Sequence, residues 1–338
     1  MATALRRGLV GRIAIALFGA LVLYVTWGQD ELPEPLRDPR VTFTPLADVE
    51  GLSPSPGLVV EHVWQISARH SGFGGYSGLA MNGADRLTAI SDRGSRLDFY
   101  DPSIFDPEAR MSRIFRRGIV PKGMRDAEAV VRDPASGHLW IAYEHGNSIV
   151  RYHPSSGDVR IAWPAAMAHW PRNRGPESMA RLPDGRFIVL AEGRRHLFAS
   201  DVEALLFPGD PVEGAAPVPF RFAPPRGYAP ADMVALPDGR VIVLLRRVVF
   251  PYPPRFTARL LLADPATIRE GEPWAWHELA RLRKLFPLDN YEGITVDPGA
   301  DGGLTIWLIS DDNTLRAQRT LLVKMRWDKE MPEQHAGR

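Results

Sequence analysis

The chain of 338 residues contains no cysteine. Disulfides, thiolate metal sites and a cysteine nucleophile are therefore excluded. It also lacks an excess of either charge: 41 Lys and Arg face 40 Asp and Glu, a formal net charge of +1. That balance leaves no electrostatic footprint for nucleic acid. Several catalytic signatures are missing as well: G-x-S-x-G, a phosphate loop, H-E-x-x-H and a dinucleotide fingerprint. The stretch Gly72-Phe73-Gly74-Gly75 is no phosphate loop, because no Lys-Ser/Thr follows it.

Long apolar runs are scarce too. The prominent one is IAIALFGALVLYVTW, residues 13–27, with Arg6, Arg7 and Arg12 before it and Asp30, Glu31 and Glu34 after it. Basic residues ahead of an apolar stretch keep its N-terminus in the cytoplasm. No small-x-small cleavage site follows, so the sequence predicts an uncleaved signal anchor over residues 1–28. A removed signal peptide and a buried helix are the alternatives. Pro33, Pro35 and Pro39 mark residues 29–40 as a linker. The expected location is the periplasm, attached to the inner membrane, or outside the cell after cleavage.

What is abundant is Pro (31) and Gly (30), the turn residues that a many-stranded chain needs. A short polar cluster followed by an apolar strand, a tight turn and a second strand recurs five times. The copies begin at Tyr76-Ser77-Gly78, Asp126-Ala127-Glu128, Pro176-Glu177-Ser178, Ala231-Asp232-Met233 and Tyr291-Glu292-Gly293. From Ser77, Glu128, Glu177, Asp232 and Glu292 the intervals are 51, 49, 55 and 60 residues. A period of this length is that of a four-stranded propeller blade. The sequence thus predicts an all-β single propeller over residues 41–330, with five or six blades. Third strands are expected at 148–152, 196–200, 258–263 and 320–327, and fourth strands at 218–222 and 274–279. Residues 59–67 are expected to add an outer strand to the last blade, closing the ring and removing a free edge. Residues 41–67 also leave room for a degenerate sixth blade. Trp163, Trp170, Trp274 and Trp276 read as blade packing.

A propeller brings equivalent positions of its blades to one channel. The expected channel group is Glu128, Glu177, Asp232 and Glu292. Four carboxylates so close do not all stay ionised without a cation or basic partners. Hard divalent cations take oxygen ligands, and calcium tolerates irregular carboxylate sets. These four are the expected ligands of a divalent metal of the calcium type. The competing reading is that they cap turns or bind backbone amides of neighbouring blades.

Each second strand ends in another polar cluster: Asp92-Arg93, Glu144-His145, Glu192 with Arg194 and Arg195, Arg246-Arg247, and Asp311 with Asn313. An antiparallel return places these at the same end of the channel. Arg93, Arg194, Arg195, Arg246, Arg247, Asp311 and Asn313 are the candidate substrate-binding residues, since arginine forks hold phosphate and carboxylate groups. Glu144, His145 and Glu192 are the candidates for moving a proton. His196 is a weaker histidine candidate than His145.

The runs Phe73-Gly74-Gly75-Tyr76-Ser77-Gly78-Leu79 and Ala89-Ile90-Ser91-Asp92-Arg93-Gly94 resemble the opening of the phytase-like family with esterase-like activity. Asp126-Ala127-Glu128-Ala129, Ala231-Asp232-Met233, Asn290-Tyr291-Glu292-Gly293-Ile294, Ser310-Asp311-Asp312-Asn313 and Gln318-Arg319-Thr320-Leu321-Leu322 are similar to its later landmarks. The resemblance spans about residues 58–327. It implies an exported bacterial propeller with phosphoester or ester hydrolysis as its chemistry, and calcium as a compatible metal. No motif matches a phytase active site residue by residue. Three functions are therefore carried forward. The first is a metal-dependent hydrolase of a phosphoester or other ester. The second is a non-catalytic, membrane-anchored propeller that binds a small anion, glycan or protein. The third is a calcium-dependent hydrolase of the lactonase kind.

Overall fold

A computed structural model describes residue 16 and residues 40–328, apart from 105–107, 116–125, 173, 195–198, 250–254, 284–285, 300–302, 314 and 316–317. The expected anchor and linker lie outside the described residues, except for residues 16 and 40. Among the described residues no helix is long and apolar enough to cross a membrane.

The first strands among the described residues are β1 (Val41–Pro45) and β2 (Leu58–Ala68). Blade 1 follows as β3 (Tyr76–Met81), β4 (Arg86–Ser91), β5 (Ser95–Tyr100) and β6 (Ala109–Arg113). Blade 2 is β7 (Ala127–Arg132), β8 (Leu139–Tyr143), β9 (Ser148–Tyr152) and β10 (Val159–Ala162). Blade 3 is β11 (Pro176–Arg181), β12 (Phe187–Arg194), β13 (Val202–Phe207) and β14 (Val218–Phe222). Blade 4 is β15 (Ala229–Ala235), β16 (Val241–Val249), β17 (Arg255–Ala263) and β18 (Trp276–Leu282). Blade 5 takes β19 (Asn290–Pro298), β20 (Leu304–Asp311) and β21 (Thr320–Trp327), and is completed by β2 and then β1 in the order β1-β2-β21-β20-β19.

The propeller therefore has five blades. Residues 41–67 form no sixth blade. They supply the outer strands of blade 5, where β2 runs antiparallel to β21 from Leu58↔Trp327 to Ile66↔Thr320. The free edge of β21 is covered by the start of the chain, as expected. Two other strand placements shift: the third strand of blade 3 is Val202–Phe207, and the fourth of blade 4 begins at Trp276.

Local sequence explains the hairpins. In blade 3 the turn Pro183-Asp184-Gly185-Arg186 closes through Gly185 N donating to Leu182 O at 2.9 Å, with Gly185 at φ 89°. A side chain there would be strained, so glycine is needed. Blade 4 repeats the turn with Gly239, also at φ 89°.

The core is divided by blade interface. Five apolar clusters are buried, and each joins residues of two adjacent blades. Leu190 of blade 3 packs with Val243 of blade 4, Leu308 of blade 5 with Leu244 of blade 4, and Leu97 of blade 1 with Ile309 of blade 5. Burying one such side chain contributes roughly 1.5–3 kcal/mol. Middle strands are buried on both faces, which is why Val241–Leu245 reads as unbroken apolar sequence. Trp170 and Trp274 pack in the core, and the part-buried Trp276 packs against it. Trp163 does not, being 58% exposed.

Candidate functional site

The inner strands β3, β7, β11, β15 and β19 contact one another in a closed circuit, so their first residues meet at one end of the channel. In every blade the pairing of inner and second strand slips near that end. The slips fall between Tyr76 and Gly78, Ala127 and Ala129, Pro176 and Ser178, Pro230 and Asp232, and Tyr291 and Gly293. Each is a β-bulge, a device that re-aims one side chain. The extra residues are Ser77, Glu128, Glu177, Ala231 and Glu292.

This set corrects the sequence reading in one member. Blade 4 contributes Ala231, and Asp232 lies one residue further along β15, where strand alternation turns a side chain to the other face. The buried Asp232 uses its carboxylate on backbone amides: Met233 N donates to Oδ1 at 2.8 Å, and Ile294 N of blade 5 donates to Oδ2 at 2.9 Å. Burial pushes its pKa well above the usual carboxylate range. Asp232 laces two blades together, which is the competing role that the sequence left open. In blade 1 the Ser77 hydroxyl likewise donates to the Ala127 carbonyl of blade 2.

A second ring lies on the second strands, one position beyond the residues that pair with the inner strand just before each bulge. Those residues are Ser91, Tyr143, Ala191, Leu245 and Ser310, opposite Tyr76, Ala127, Pro176, Pro230 and Tyr291. The next positions are Asp92, Glu144, Glu192, Arg246 and Asp311. Blade 4, like blade 1 with Ser77, has no carboxylate in the first ring, and it differs from all the others in carrying an arginine in the second.

That arginine meets the acids of both neighbouring blades. Arg246 Nη2 lies 3.0 Å from Glu177 and 3.2 Å from Glu192, and Nη1 lies 2.6 Å from Glu292. Burial opposes the charge on the guanidinium, but Glu292, Glu177 and Glu192 outweigh it and raise its pKa. Glu292 also accepts from Asn290 Nδ2 at 2.6 Å. Even so, burial holds the Glu177 and Glu292 pKa values raised. The sequence expectation that something positive must sit among these acids is met here by a side chain.

Glu128 feels the charge of Arg246 but forms no ion pair with it or with any other described residue. Burial raises its pKa well above the usual range, and the charges of Glu177, Glu292, Asp126 and Glu144 raise it further. Beside it, Asp126, Glu144 and His145 bring one ligand atom each to within 4.8 Å of one another, the one such group among the described residues. Asp126 adopts φ 72°, its amide donates to Asp92 O at 3.2 Å, and its carbonyl accepts from Glu144 N at 3.0 Å. An aspartate tolerates that left-handed conformation better than most residues. Its carboxylate lies 2.7 Å from His145 Nδ1. Burial, then the hydrogen bond and charge of Asp126, push Glu144 up to about 7. Two carboxylates this close share either a proton or a cation. The donors of Asp126, Glu128 and Glu144 are all carboxylate oxygens, which suits a hard divalent cation.

The remaining candidates are spread around this mouth. Arg93 is part-buried, donates from Nη1 to Phe73 O at 2.8 Å, and lies 3.9 Å from Asp92 and 3.8 Å from Asp312. Burial, offset in part by Arg93, pushes Asp92 up to about 6. Gly75, at φ 65°, leaves room for the carboxylate of Asp92, which a Cβ at that position would meet. Asp311 is buried and accepts from Asn313 N at 2.8 Å, and burial followed by the charge of Glu292 raises its pKa. Asn313 is exposed. Arg247 is exposed and belongs to the face of β16 opposite Arg246. Arg194 ends β12, and Arg195 and His196 lie outside the described residues.

Sequence reasoning grouped Asp126 with Glu128 but gave it no ligand role. It also took Asp92 only as part of a rim cluster. The repeat phase carries Asp92, because it places that residue level with Glu144 and Glu192.

Similarity to known proteins is strongest at the level of family. The family model described as "Phytase-like: Esterase-like activity of phytase" matches residues 71–314. No curated protein matches the chain. Among solved structures, hydrazine synthase of Kuenenia stuttgartiensis is 14% identical with a TM-score of 0.39, over 71% of this chain and 77% of that one. A chain of a nidogen–laminin complex is 11% identical with a TM-score of 0.43, over 84% and 96%. A luciferin-regenerating enzyme is 11% identical with a TM-score of 0.42, over 85% and 95%. Likenesses of this strength carry nothing about activity.

Proposed function

This chain belongs to the phytase-like family, and from that premise we propose that it is a hydrolase of a phosphoester or other ester acting at the acidic end of the channel. The observation that carries the proposal is the group Asp126, Glu144 and His145 beside Glu128, which forms no ion pair among the described residues. We propose a divalent cation of the calcium type there, held by Asp126, Glu128 and Glu144. Glu177 and Glu292 of the originally expected set are engaged by Arg246, and Asp232 is engaged by amides. Such a cation, when bound, polarises an ester oxygen and lowers the pKa of a water molecule.

The chain's own residues supply the rest of the chemistry. His145, 57% exposed and steadied by Asp126, accepts the proton of the attacking water at its free ring nitrogen and returns it to the leaving oxygen. Arg246 offsets negative charge developing near the axis. Glu192 is held by Arg246 and keeps that guanidinium in place. Arg93, Arg247, Asp311 and Asn313, with Arg194 and Arg195, are the proposed contacts to substrate. We further place the reaction in the periplasm, with residues 1–28 as signal or anchor, on the strength of Arg6, Arg7 and Arg12 before the apolar run.

The test measures metal content and activity together. Purified protein is chelated, reloaded with calcium, manganese or magnesium, and screened against aryl phosphates, aryl acetates and lactones. Turnover that needs the metal and is lost in Glu144→Gln and in His145→Gln, with folding retained, supports the reading. Equal turnover in the parent and in both variants refutes it.

A further inference from the structure

Most of the mouth is acidic, but the rim of blade 4 has the opposite sign. Arg226, Arg247 and Arg255 are exposed there, and Arg259 is half-buried. Among the described residues the carboxylate set against them is Glu278, 2.7 Å from Arg259 and also paired with Arg281. No ion pair to Arg226, Arg247 or Arg255 forms among the described residues.

The register of blade 4 gathers part of this charge on one face. Arg246 pairs with Ala229, so Tyr228 stands opposite Arg247, while Arg247 pairs with Thr257 and Leu245 with Arg259. Leu245 and Val243 of the same β16 face pack against blade 3. Tyr228, Arg247, Thr257 and Arg259 therefore line the upper cleft between blades 3 and 4. The guanidinium carbon of Arg259 lies 4.5 Å from the Tyr228 ring centre, and that of Arg247 lies 5.8 Å from it. The Tyr228 and Thr257 hydroxyls are 3.2 Å apart. Gly227, at φ 83°, brings its backbone against Arg247, whose Nε would be 3.3 Å from a Cβ at that position.

Two like charges converging on one ring repel, and contact with the ring returns only about 0.5–2 kcal/mol for each. Arg259 Nε is moreover buried and has no acceptor. An unpaired donor on a charged group costs more than a neutral one. Donors that converge from several directions, with surplus positive charge, suit a tetrahedral oxyanion better than a planar one. We propose that this cleft is a phosphate-type oxyanion site, with Arg247 and Arg259 as charged donors and the Tyr228 hydroxyl as a third. The site names the substrate class of the hydrolase proposed above, a phosphoester. It rests on that reading for its role but not for its existence.

The probe is inorganic phosphate, titrated calorimetrically into chelated, folded full-length protein at low ionic strength. One saturable site is expected. Arg247→Gln should weaken it about tenfold and Tyr228→Phe a few-fold, as loss of a charged and a neutral hydrogen bond implies. Arg186→Gln, in a turn at the far end of blade 3, should leave it unchanged. Near-ultraviolet circular dichroism and thermal unfolding verify that each variant is folded. Absence of saturable binding, or binding untouched by Arg247→Gln and Tyr228→Phe, overturns the site. Binding that requires added calcium and ignores Arg247→Gln puts the anion on the cation instead, which overturns the site and spares the hydrolase. Binding lost in Arg247→Gln, in a protein that cleaves no ester, sustains the site while the hydrolase reading fails.

Discussion

Arg246 Nη1 lies 2.6 Å from Glu292 Oε1, and through this contact blade 4 neutralises an acid of blade 5. The same guanidinium reaches Glu177 and Glu192 of blade 3. One side chain thus holds together the two flanks of blade 4, the blade with an arginine in the second ring.

Replacing Arg246 by alanine should leave three part-buried or buried carboxylates without their counter-ion. Breaking a buried pair by removing one partner costs about 3–5 kcal/mol. Thermal unfolding of chelated Arg246→Ala should fall accordingly, and millimolar calcium should recover part of the loss by entering the vacated position. An unfolding midpoint equal to the parent's would show that the guanidinium does not hold the ring.

Asp232 should behave as a structural residue. Asp232→Ala leaves the amides of Met233 and Ile294 unpaired inside the blade 4–5 interface, which costs roughly 1–3 kcal/mol. Its stoichiometry of bound calcium should equal that of the parent. Loss of the metal in a folded Asp232→Ala protein would return this residue to the ligand set.

Cation binding should depend on pH through Glu144. Its carboxyl is raised to about 7, so protons compete with a cation below that value. Calcium affinity should climb from pH 5.5 to about 7.5 and then level off. In Glu144→Gln it should be weaker, and the slope between pH 6 and 8 should flatten. Calorimetric titrations at three pH values decide this, and a parent affinity flat across the range would remove Glu144 from the site.

Stability of the metal-free protein should carry the opposite sign from ordinary acid denaturation over part of its range. Asp289 is buried, accepts from Asn290 N at 3.0 Å and Arg319 N at 3.1 Å, and is pushed up to about 6 by burial. Asp92 is pushed up to about 6 for the same reason. Between the ordinary carboxylate range and about 6, the folded state binds more protons than the unfolded one. The stabilisation is full below the unfolded pKa and is lost as pH rises through about 6. For Asp289 it amounts to about 1–3 kcal/mol. Chelated protein should therefore melt higher at pH 5 than at pH 8, and Asp289→Asn should narrow the gap. Equal slopes in parent and variant would assign the effect to other groups.

The repeat was legible because each blade repeats one local problem. A buried inner strand needs unbroken apolar residues, and its hairpin needs a turn such as Pro183-Asp184-Gly185-Arg186. Those demands are met within about twenty residues, so the sequence shows them directly. The closing strand β2 was legible for a related reason: a ring of sheets cannot leave β21 with a free edge. The count of five was not settled, because the polar stretch between β1 and β2 looks the same whether it belongs to a new blade or to loops on an old one.

The sequence by itself determined the all-β repeat, the acidic character of one end and the residue types available there. Only the tertiary structure decided which acids share the channel. A bulge shifts the phase of a strand by one residue, and side chains alternate faces, so Ala231 enters the ring and Asp232 turns to the amides of the next blade. Likewise Arg246 and Arg247 are neighbours in sequence, yet one joins the carboxylates and the other joins Tyr228. Spacing along a chain fixes what a strand can offer, while the register between strands fixes where it is offered.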